Sequence, residues 1–300
     1  MWTRSTFMLV GVSCVVALCF GPGDLVKAQA SLPLCVGGPF TGPQNPTTPP
    51  GRPTCKAVPT MNLRGAVSAG PVRIGQPLDP GYHTAGSGTN YDNYLGTYSS
   101  LQVQNPDLSQ SGPSALATEW VMVVIRTPDY AGGPCLNPPC WIQAGWIKQQ
   151  PVDARRVFMQ VALDGLLRTN YFDQYPISDG QNYYFSTHAE NNSSDGTHIW
   201  NALLWWGGSW NLLDAQAGIQ PRFYQSQQYY ETYTSTGIHP QIAQIGSADS
   251  HLQYQLLPEQ WQLWDLSVPT SYGPIACGPN DAARVDFPQF YYNWNVNSCP

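Results

Sequence analysis

Charged residues are scarce in this chain of 300 residues. Only 11% of the residues are Asp, Glu, Lys or Arg, far below the usual quarter for a soluble domain. The 13 basic residues form no cluster that could neutralise phosphates, so the sequence predicts no nucleic-acid partner. The chain also lacks a His-Glu-x-x-His and a Gly-x-Ser-x-Gly segment, which argues against two common classes of hydrolase.

Helical patterns are missing as well. No segment combines a sustained helical period with capping residues. Gly and Pro, at 28 residues each, divide the chain into short segments. About ten of these segments predict strands, at 94–103, 119–126, 141–146, 156–163, 182–187, 199–206, 210–213, 221–234, 261–268 and 287–296. We therefore predict an all-β fold, a two-sheet antiparallel β-sandwich or jelly roll.

The amino terminus resembles a secretory signal peptide. Arg4 precedes an apolar stretch at 7–20, and Ala28-Gln29-Ala30 provides a cleavage site. The apolar stretch is too short for a comfortable membrane span. We expect residues 1–30 to be removed and the mature protein to be secreted into the extracellular space, with no membrane contact after cleavage.

Two regions follow this expected signal peptide. Residues 31–81 are rich in Pro and Gly, so we expect an irregular extension. A propeptide, a linker and a packed extension all fit this composition. Residues 82–300 contain the predicted strands and should form the β-sandwich domain.

Six of the eight cysteines remain once Cys14 and Cys19 leave with the signal peptide. An even number in an exported chain suggests disulfides. Among fifteen possible connectivities, the order in the sequence favours three local pairs: Cys35 with Cys55, Cys135 with Cys140, and Cys277 with Cys299. Zinc is the weaker interpretation, because the spacing from Cys135 to Cys140 is long for a zinc knuckle and no His is close. We expect no metal.

Two of the predicted strands carry the candidate functional residues. The segment Trp-Ile-Gln-Ala-Gly-Trp at 141–146 places Gln143 between apolar neighbours, and strand alternation turns Gln143 to the face opposite Ile142 and Ala144. An amide in that setting needs hydrogen-bond partners. The aromatic run at 227–233 contains a single carboxylate, Glu231. Together the two strands predict an amide and an acid on one concave sheet face.

These two residue types suit hydrolysis of an amide bond. A carboxylate can take a proton from a water that attacks a carbonyl, and can return it to the leaving amine. A Gln N–H can donate to the developing oxyanion, and the Gln carbonyl can hold the attacking water. Because Tyr229, Tyr230 and Tyr233 surround Glu231 in the sequence, we expect partial desolvation, a raised pKa and activity at acidic pH.

The order of three elements resembles the glutamic peptidases of the eqolisin type. The elements are Trp120-Val121, Ile-Gln-Ala-Gly at 142–145 and Tyr-Tyr-Glu at 229–231. The Gln-Ala-Gly-Trp segment is also similar to the Glu-Ala-Gly-Trp segment of plant neprosin-type peptidases.

This resemblance implies a concanavalin-like β-sandwich that acts as an endopeptidase on a polypeptide substrate without a covalent intermediate or a cofactor. It implies Glu231 and Gln143 as the catalytic pair and Trp120 as part of the substrate cleft. The chain departs from the eqolisin pattern at Gln160, where an acidic residue is expected.

Two other functions stay open. The tryptophans at 205, 206, 210, 261 and 264 could stack on sugars in a non-catalytic, carbohydrate-binding or wall-associated protein. The Gln at position 160 also fits a fold that has lost its activity, such as an extracellular structural protein. A metal site at His188, Glu190 and His198 is the weaker hypothesis, because the turn-forming residues at 191–196 predict a solvated loop.

Overall fold

The structure is a computed structural model. It describes residues 81–90, 94–125, 135, 139–191, 194–219, 224–240, 245–254, 261–264, 268, 270–273, 283–286 and 293–298. These residues contain fifteen β-strands and no helix, so the predicted all-β class is confirmed. None of them belongs to a helix long and apolar enough to cross a membrane.

Several predictions concern residues outside this described set. The expected signal peptide and all of the extension at 31–81 except Gly81 lie outside it. So do both cysteines of two predicted disulfides, Cys35 with Cys55 and Cys277 with Cys299. The third predicted disulfide, between Cys135 and Cys140, is present.

The strands are β1 (Gly81–Thr89), β2 (Tyr94–Gln102), β3 (Leu116–Ile125), β4 (Cys140–Gln149), β5 (Arg155–Leu163), β6 (Leu166–Phe172), β7 (Asn182–Asn191), β8 (His198–Trp206), β9 (Ser209–Ile219), β10 (Gln225–Thr234), β11 (Ile245–Tyr254), β12 (Trp261–Leu263), β13 (Thr270–Gly273), β14 (Ala283–Asp286) and β15 (Asn293–Ser298). All ten predicted strands overlap one of these. The strands β1, β6, β11, β13 and β14 were not predicted.

The strands form two antiparallel sheets. The seven-stranded sheet has the order β13-β1-β10-β3-β4-β5-β6. The eight-stranded sheet has the order β14-β15-β11-β2-β7-β8-β9, with β12 paired to β11. A large apolar core draws on strands of both sheets, which confirms the predicted two-sheet antiparallel sandwich. The hairpin between β8 and β9 turns at Gly207 and Gly208, whose φ angles of 62° and 84° suit a two-residue turn.

Strand alternation assigns the two faces of the seven-stranded sheet. On β4, Ile142, Ala144 and Trp146 are completely buried in the core between the sheets. Gln143 therefore belongs to the opposite face, as predicted. We call the face that points away from the eight-stranded sheet the outer face.

A buried chain of hydrogen bonds crosses the sandwich between polar strands. Gln228 Nε2 donates to Ser87 Oγ at 3.2 Å, and Ser250 Oγ donates to Gln228 Oε1 at 2.7 Å. The Ser250 and Ser99 hydroxyl oxygens are 2.8 Å apart. Because these buried groups satisfy one another, the polar strands β1 and β11 can lie inside the fold.

A second polar contact joins the sheets at their β6 and β9 ends. Arg168 Nη1 lies 3.1 Å from Asp214 Oδ2, and both side chains are buried. Asn170 Nδ2 donates to the same oxygen at 2.7 Å. This pairing keeps the charge of Asp214 compensated within the sandwich.

The glycine at position 145 allows β3 and β4 to approach closely beneath Trp120. A Cβ atom there would lie 1.9 Å from the Glu119 carbonyl oxygen, so Gly145→Ala must shift the backbone. We expect a loss of about 1–3 kcal/mol in the free energy of unfolding, measured by chemical denaturation. Gly273→Ala is the matched control, because no heavy atom lies within 4 Å of its Cβ position. Equal losses in both variants would contradict this interpretation.

Candidate active site

The strand register places Gln143, Trp120 and Glu231 on the outer face of the seven-stranded sheet. Gln143 pairs with Met122 of β3, and Glu231 pairs with Thr118 of β3. Paired residues of an antiparallel sheet point to the same side, as do residues two apart on one strand. Trp120 lies between Thr118 and Met122 on β3 and so belongs to the same face.

Gln143 and Glu231 are separated by one strand and by four residues along it. With strands about 4.8 Å apart and a rise of about 3.3 Å per residue, a flat sheet places their Cα atoms about 16 Å apart. Side chains stand roughly perpendicular to a sheet, and each of the two bonds to another residue of the outer face, Gln143 to Gln160 and Glu231 to Trp120. A ligand that contacts both groups must therefore extend across β3.

The Glu231 carboxyl group receives a hydrogen bond from the tryptophan beside it. Trp120 Nε1 donates to Glu231 Oε2 at 2.9 Å. Burial raises the pKa of Glu231 to about 7, and the Trp120 hydrogen bond opposes that rise. The side chain nevertheless remains partly exposed on the outer face. Glu231 is therefore a carboxyl group that exchanges a proton near neutral pH and can be reached by a ligand.

Two pairs of aromatic rings flank Glu231 along the strands. The rings of Tyr82 and Tyr233 are 4.8 Å apart on one side, and those of Trp120 and Tyr229 are 5.2 Å apart on the other. We call the space between these two pairs the aromatic slot.

Short side chains continue the aromatic slot across the strands. Thr84 of β1 and Thr118 of β3 pair with Glu231 on its two sides. Tyr82, at the rim, is 41% exposed. Its pKa is raised by burial and by the neighbouring charge of Glu231. The sequence-based expectation that Tyr230 also flanks Glu231 is wrong, because alternation turns Tyr230 into the core, where it is buried.

Gln143 has a hydrogen-bond partner on the next strand. Gln143 and Gln160 are directly paired between β4 and β5, and Gln143 Nε2 donates to Gln160 Oε1 at 2.7 Å. The Gln143 amide therefore has the hydrogen-bond partner that the sequence analysis expected. That partner is Gln160, at the position where an acidic residue was expected.

Charge is almost absent around these residues. On the described outer-face positions of β1, β3, β4 and β10, Glu231 is the one charged residue. The surrounding positions carry aromatic, aliphatic, Thr, Gln and Gly residues. When Glu231 is protonated, this central part of the outer face is electrically neutral.

A second glutamate lies on the inner face of the same sheet and was missed by the sequence analysis. Glu119 is completely buried. Trp146 Nε1 donates to its Oε2 at 3.3 Å, whereas Oε1 has no hydrogen-bond partner among the described residues. Burial raises the pKa of Glu119 well above its usual range, against the opposing effects of Trp146 and the Gln102 backbone. Strand alternation could have identified Glu119 as an inner-face residue, because it lies two residues from the apolar Val121 and therefore points to the same side of the sheet.

The tryptophans considered for sugar binding pack against other rings. Trp264 is completely buried and Trp210 is 6% exposed. Trp205 contacts Trp210, with ring centroids 5.6 Å apart. Trp206 stacks on Tyr183 and Trp261 contacts Tyr98, at 5.7 Å and 5.0 Å. These contacts cover ring surface that a sugar would need.

The candidate metal ligands are not brought together. His188 Nε2 lies 3.2 Å from Glu190 Oε1, whereas His198 Nδ1 lies 2.8 Å from the Tyr224 hydroxyl. The register pairs His188 with Asn201 and His198 with Asn191, so the two histidines point to opposite faces of the sheet. The described part of the chain contains no group of three or more His, Cys, Asp or Glu that could hold a metal.

Comparison with known proteins gives matches to solved structures. No family model and no curated protein matches the chain. Scytalido-glutamic peptidase with a peptide-based transition state analog matches at 12% identity and a TM-score of 0.48, over 72% of this chain and 98% of that one. SCP-B, a member of the Eqolisin family of peptidases, in a complex with the tripeptide Ala-Ile-His, matches at 11% identity and a TM-score of 0.45, with the same coverage. The likeness is one of fold and assigns no role to any residue.

Proposed function

We propose that this protein is a secreted endopeptidase of the glutamic-peptidase kind, which hydrolyses peptide bonds with Glu231, Gln143 and an activated water. The observation that carries the proposal is the carboxyl group of Glu231. It is reachable from the outer face, has a pKa raised to about 7, and shares that face with Gln143.

Glu231 acts first as a base and then as an acid. Its carboxylate takes a proton from a water whose oxygen bonds to the substrate carbonyl carbon. The protonated Glu231 then gives this proton to the leaving amine as the C–N bond breaks. Trp120 Nε1, which donates to Oε2, leaves Oε1 available for the water.

Gln143 stabilises the oxyanion that forms on the carbonyl oxygen. One of its two N–H groups is bonded to Gln160, and the other remains available for the substrate. A preorganised donor of this kind contributes about 10²–10³ to kcat. Trp120, which is only 5% exposed, borders the substrate cleft at the edge of its ring that donates to Glu231.

The raised pKa of Glu231 sets the pH range of this mechanism. A general base must be ionised, and a carboxyl group with a pKa of about 7 is mostly protonated in acid. We therefore propose that activity rises from pH 5 to pH 7. The activity at acidic pH that the sequence analysis expected would require a different order of steps. The protonated carboxyl group of Glu231 would first have to donate a hydrogen bond or proton to the substrate carbonyl oxygen.

The substrate is an extended, uncharged stretch of polypeptide. The aromatic slot offers ring surfaces for apolar or aromatic side chains next to the scissile bond. The neutral surroundings of Glu231 offer no opposite charge to a charged side chain. No described contact favours a carbohydrate ligand over this substrate.

Digestion of a denatured protein tests the proposal. The full chain is secreted from a host cell and incubated with reduced, alkylated casein between pH 3 and pH 9, and the products are identified by mass spectrometry. Internal cleavage without added metal or cofactor is expected. No cleavage at any of these pH values would refute the proposal and favour a structural or carbohydrate-binding protein, which a polysaccharide pull-down would then distinguish.

A further inference from the structure

We propose that Gln160 is a positioning residue that fixes the orientation of the Gln143 amide. This inference rests on the proposed function. Gln160 is the direct cross-strand partner of Gln143, and the distance of 2.7 Å between Gln143 Nε2 and Gln160 Oε1 is short for an N–H···O hydrogen bond. Both side chains lie on the outer face, and Gln143 is only 8% exposed.

The need for positioning follows from the chemistry of an amide. The terminal torsion of a Gln side chain is broad and roughly two-fold, so an unrestrained amide can present either its N–H or its carbonyl oxygen to the substrate. A carbonyl oxygen facing an oxyanion is repulsive, whereas an N–H stabilises it. A neighbouring hydrogen-bond acceptor fixes the orientation of the amide, because it holds the nitrogen on its own side.

Gln160 supplies this acceptor without adding charge. Its Oε1 binds one hydrogen of Gln143 Nε2, and the second hydrogen of the same nitrogen stays free for the substrate. A carboxylate at position 160 would accept the same bond, but its negative charge would lie close to the oxyanion. Its acceptor strength would also depend on pH, whereas a Gln accepts equally well across the whole pH range.

Two substitutions separate positioning from a merely structural role. Gln160→Met preserves the length of the side chain and removes the amide acceptor, whereas Gln160→Glu preserves an acceptor. With a neutral peptide substrate, we expect Gln160→Met to lower kcat about tenfold and to change KM less than twofold. Gln160→Glu should recover part of the kcat lost in Gln160→Met at pH 7, and the ratio of its kcat to that of wild type at the same pH should fall on acidification, as the new carboxyl group becomes protonated.

A double variant tests whether the two glutamines act as one unit. If Gln160 acts through Gln143, then adding Gln160→Met to Gln143→Ala should cause no further loss of kcat. A wild-type kcat in Gln160→Met, or a full further loss in the double variant, would overturn the inference. Circular dichroism melting of each variant establishes that the folded protein is being assayed.

The outcome for Glu231 distinguishes the failure of this inference from that of the proposed function. If Glu231→Gln abolishes cleavage while Gln160→Met cleaves at the wild-type rate, Gln160 has no positioning role and the proposed function stands. If Glu231→Gln cleaves at the wild-type rate, the proposed function is refuted and the inference falls with it.

Discussion

Replacing Glu231 with Gln is expected to lower kcat for a neutral peptide by about 10³-fold, in line with the loss of general base and acid catalysis. The fold should survive, because the amide oxygen of a Gln can still accept the hydrogen bond that Trp120 Nε1 makes to Oε2. KM should change little, because the rings of the aromatic slot remain in place. Steady-state kinetics at pH 7 on a fluorogenic peptide without charged residues measures both constants.

The matched control is Glu190→Gln. Glu190 is a partly exposed glutamate on the eight-stranded sheet, with His188 Nε2 at 3.2 Å from its carboxylate. The same chemical change there should leave kcat within about twofold of wild type, because Glu190 lies on β7 of the other sheet. A Glu231→Gln variant that keeps more than a tenth of wild-type kcat would remove Glu231 from the mechanism.

Replacing Glu119 with Gln is expected to remove much of the pH dependence of stability. In the unfolded chain, a Glu side chain loses its proton near pH 4.3. In the folded chain, Glu231 keeps its proton up to about pH 7, and the pKa of Glu119 is raised well above its usual range. The stability that each protonated group contributes is complete below the unfolded pKa and is lost as the pH rises through the folded pKa. Each group lowers the free energy of unfolding by about 1.4 kcal/mol per pH unit in that interval.

Glu119→Gln should therefore show a shallower fall and be more stable than wild type at pH 7. The amide oxygen can accept from Trp146 Nε1, which now donates to Oε2. Chemical denaturation at pH 4.5, 6 and 7 measures how steeply the free energy of unfolding falls with pH. Glu231→Gln is the comparison variant, because Glu231 contributes to that fall only up to about pH 7. An unchanged slope in Glu119→Gln would show that Glu119 is ionised in the folded protein.

Much of the fold could be predicted because the strands follow the elementary pattern of the sandwich. On β3 and β4, the alternation of Val, Ile and Ala with other residues marks the core face and also identifies the outer face that carries Gln143. Gly207 and Gly208, between β8 and β9, adopt the positive φ angles that a two-residue turn requires. These signals are local, since each depends on residues that are neighbours along the chain.

The strands that were missed have a non-local cause. Strands β1 and β11 are polar and contain Gly and Ser, which suggest loops when the sequence is considered alone. They lie in the sandwich because partners more than a hundred residues away complete their hydrogen bonds, as Gln228 does for Ser87 and as Ser99 does for Ser250. No spacing rule along the chain contains that information.

The candidate site was predicted in its residue types but not in its contacts. Aromatic and amide-bearing strands indicated Glu231 and Gln143, whereas the hydrogen bonds from Trp120 to Glu231 and from Gln143 to Gln160 depend on strand order and register. In the sequence, Gln160 is a departure from the eqolisin pattern, which has an acidic residue at that position. In the fold, Gln160 is the partner that Gln143 requires.

The pH dependence of kcat/KM on a neutral peptide tests the central claim most directly. If Glu231 is the general base, kcat/KM should rise about tenfold per pH unit below pH 7 and become level above it, following the pKa of about 7 that burial gives the free carboxyl group. A kcat/KM that falls between pH 5 and pH 7, or that stays level across that interval, would contradict the assignment of Glu231 as the base.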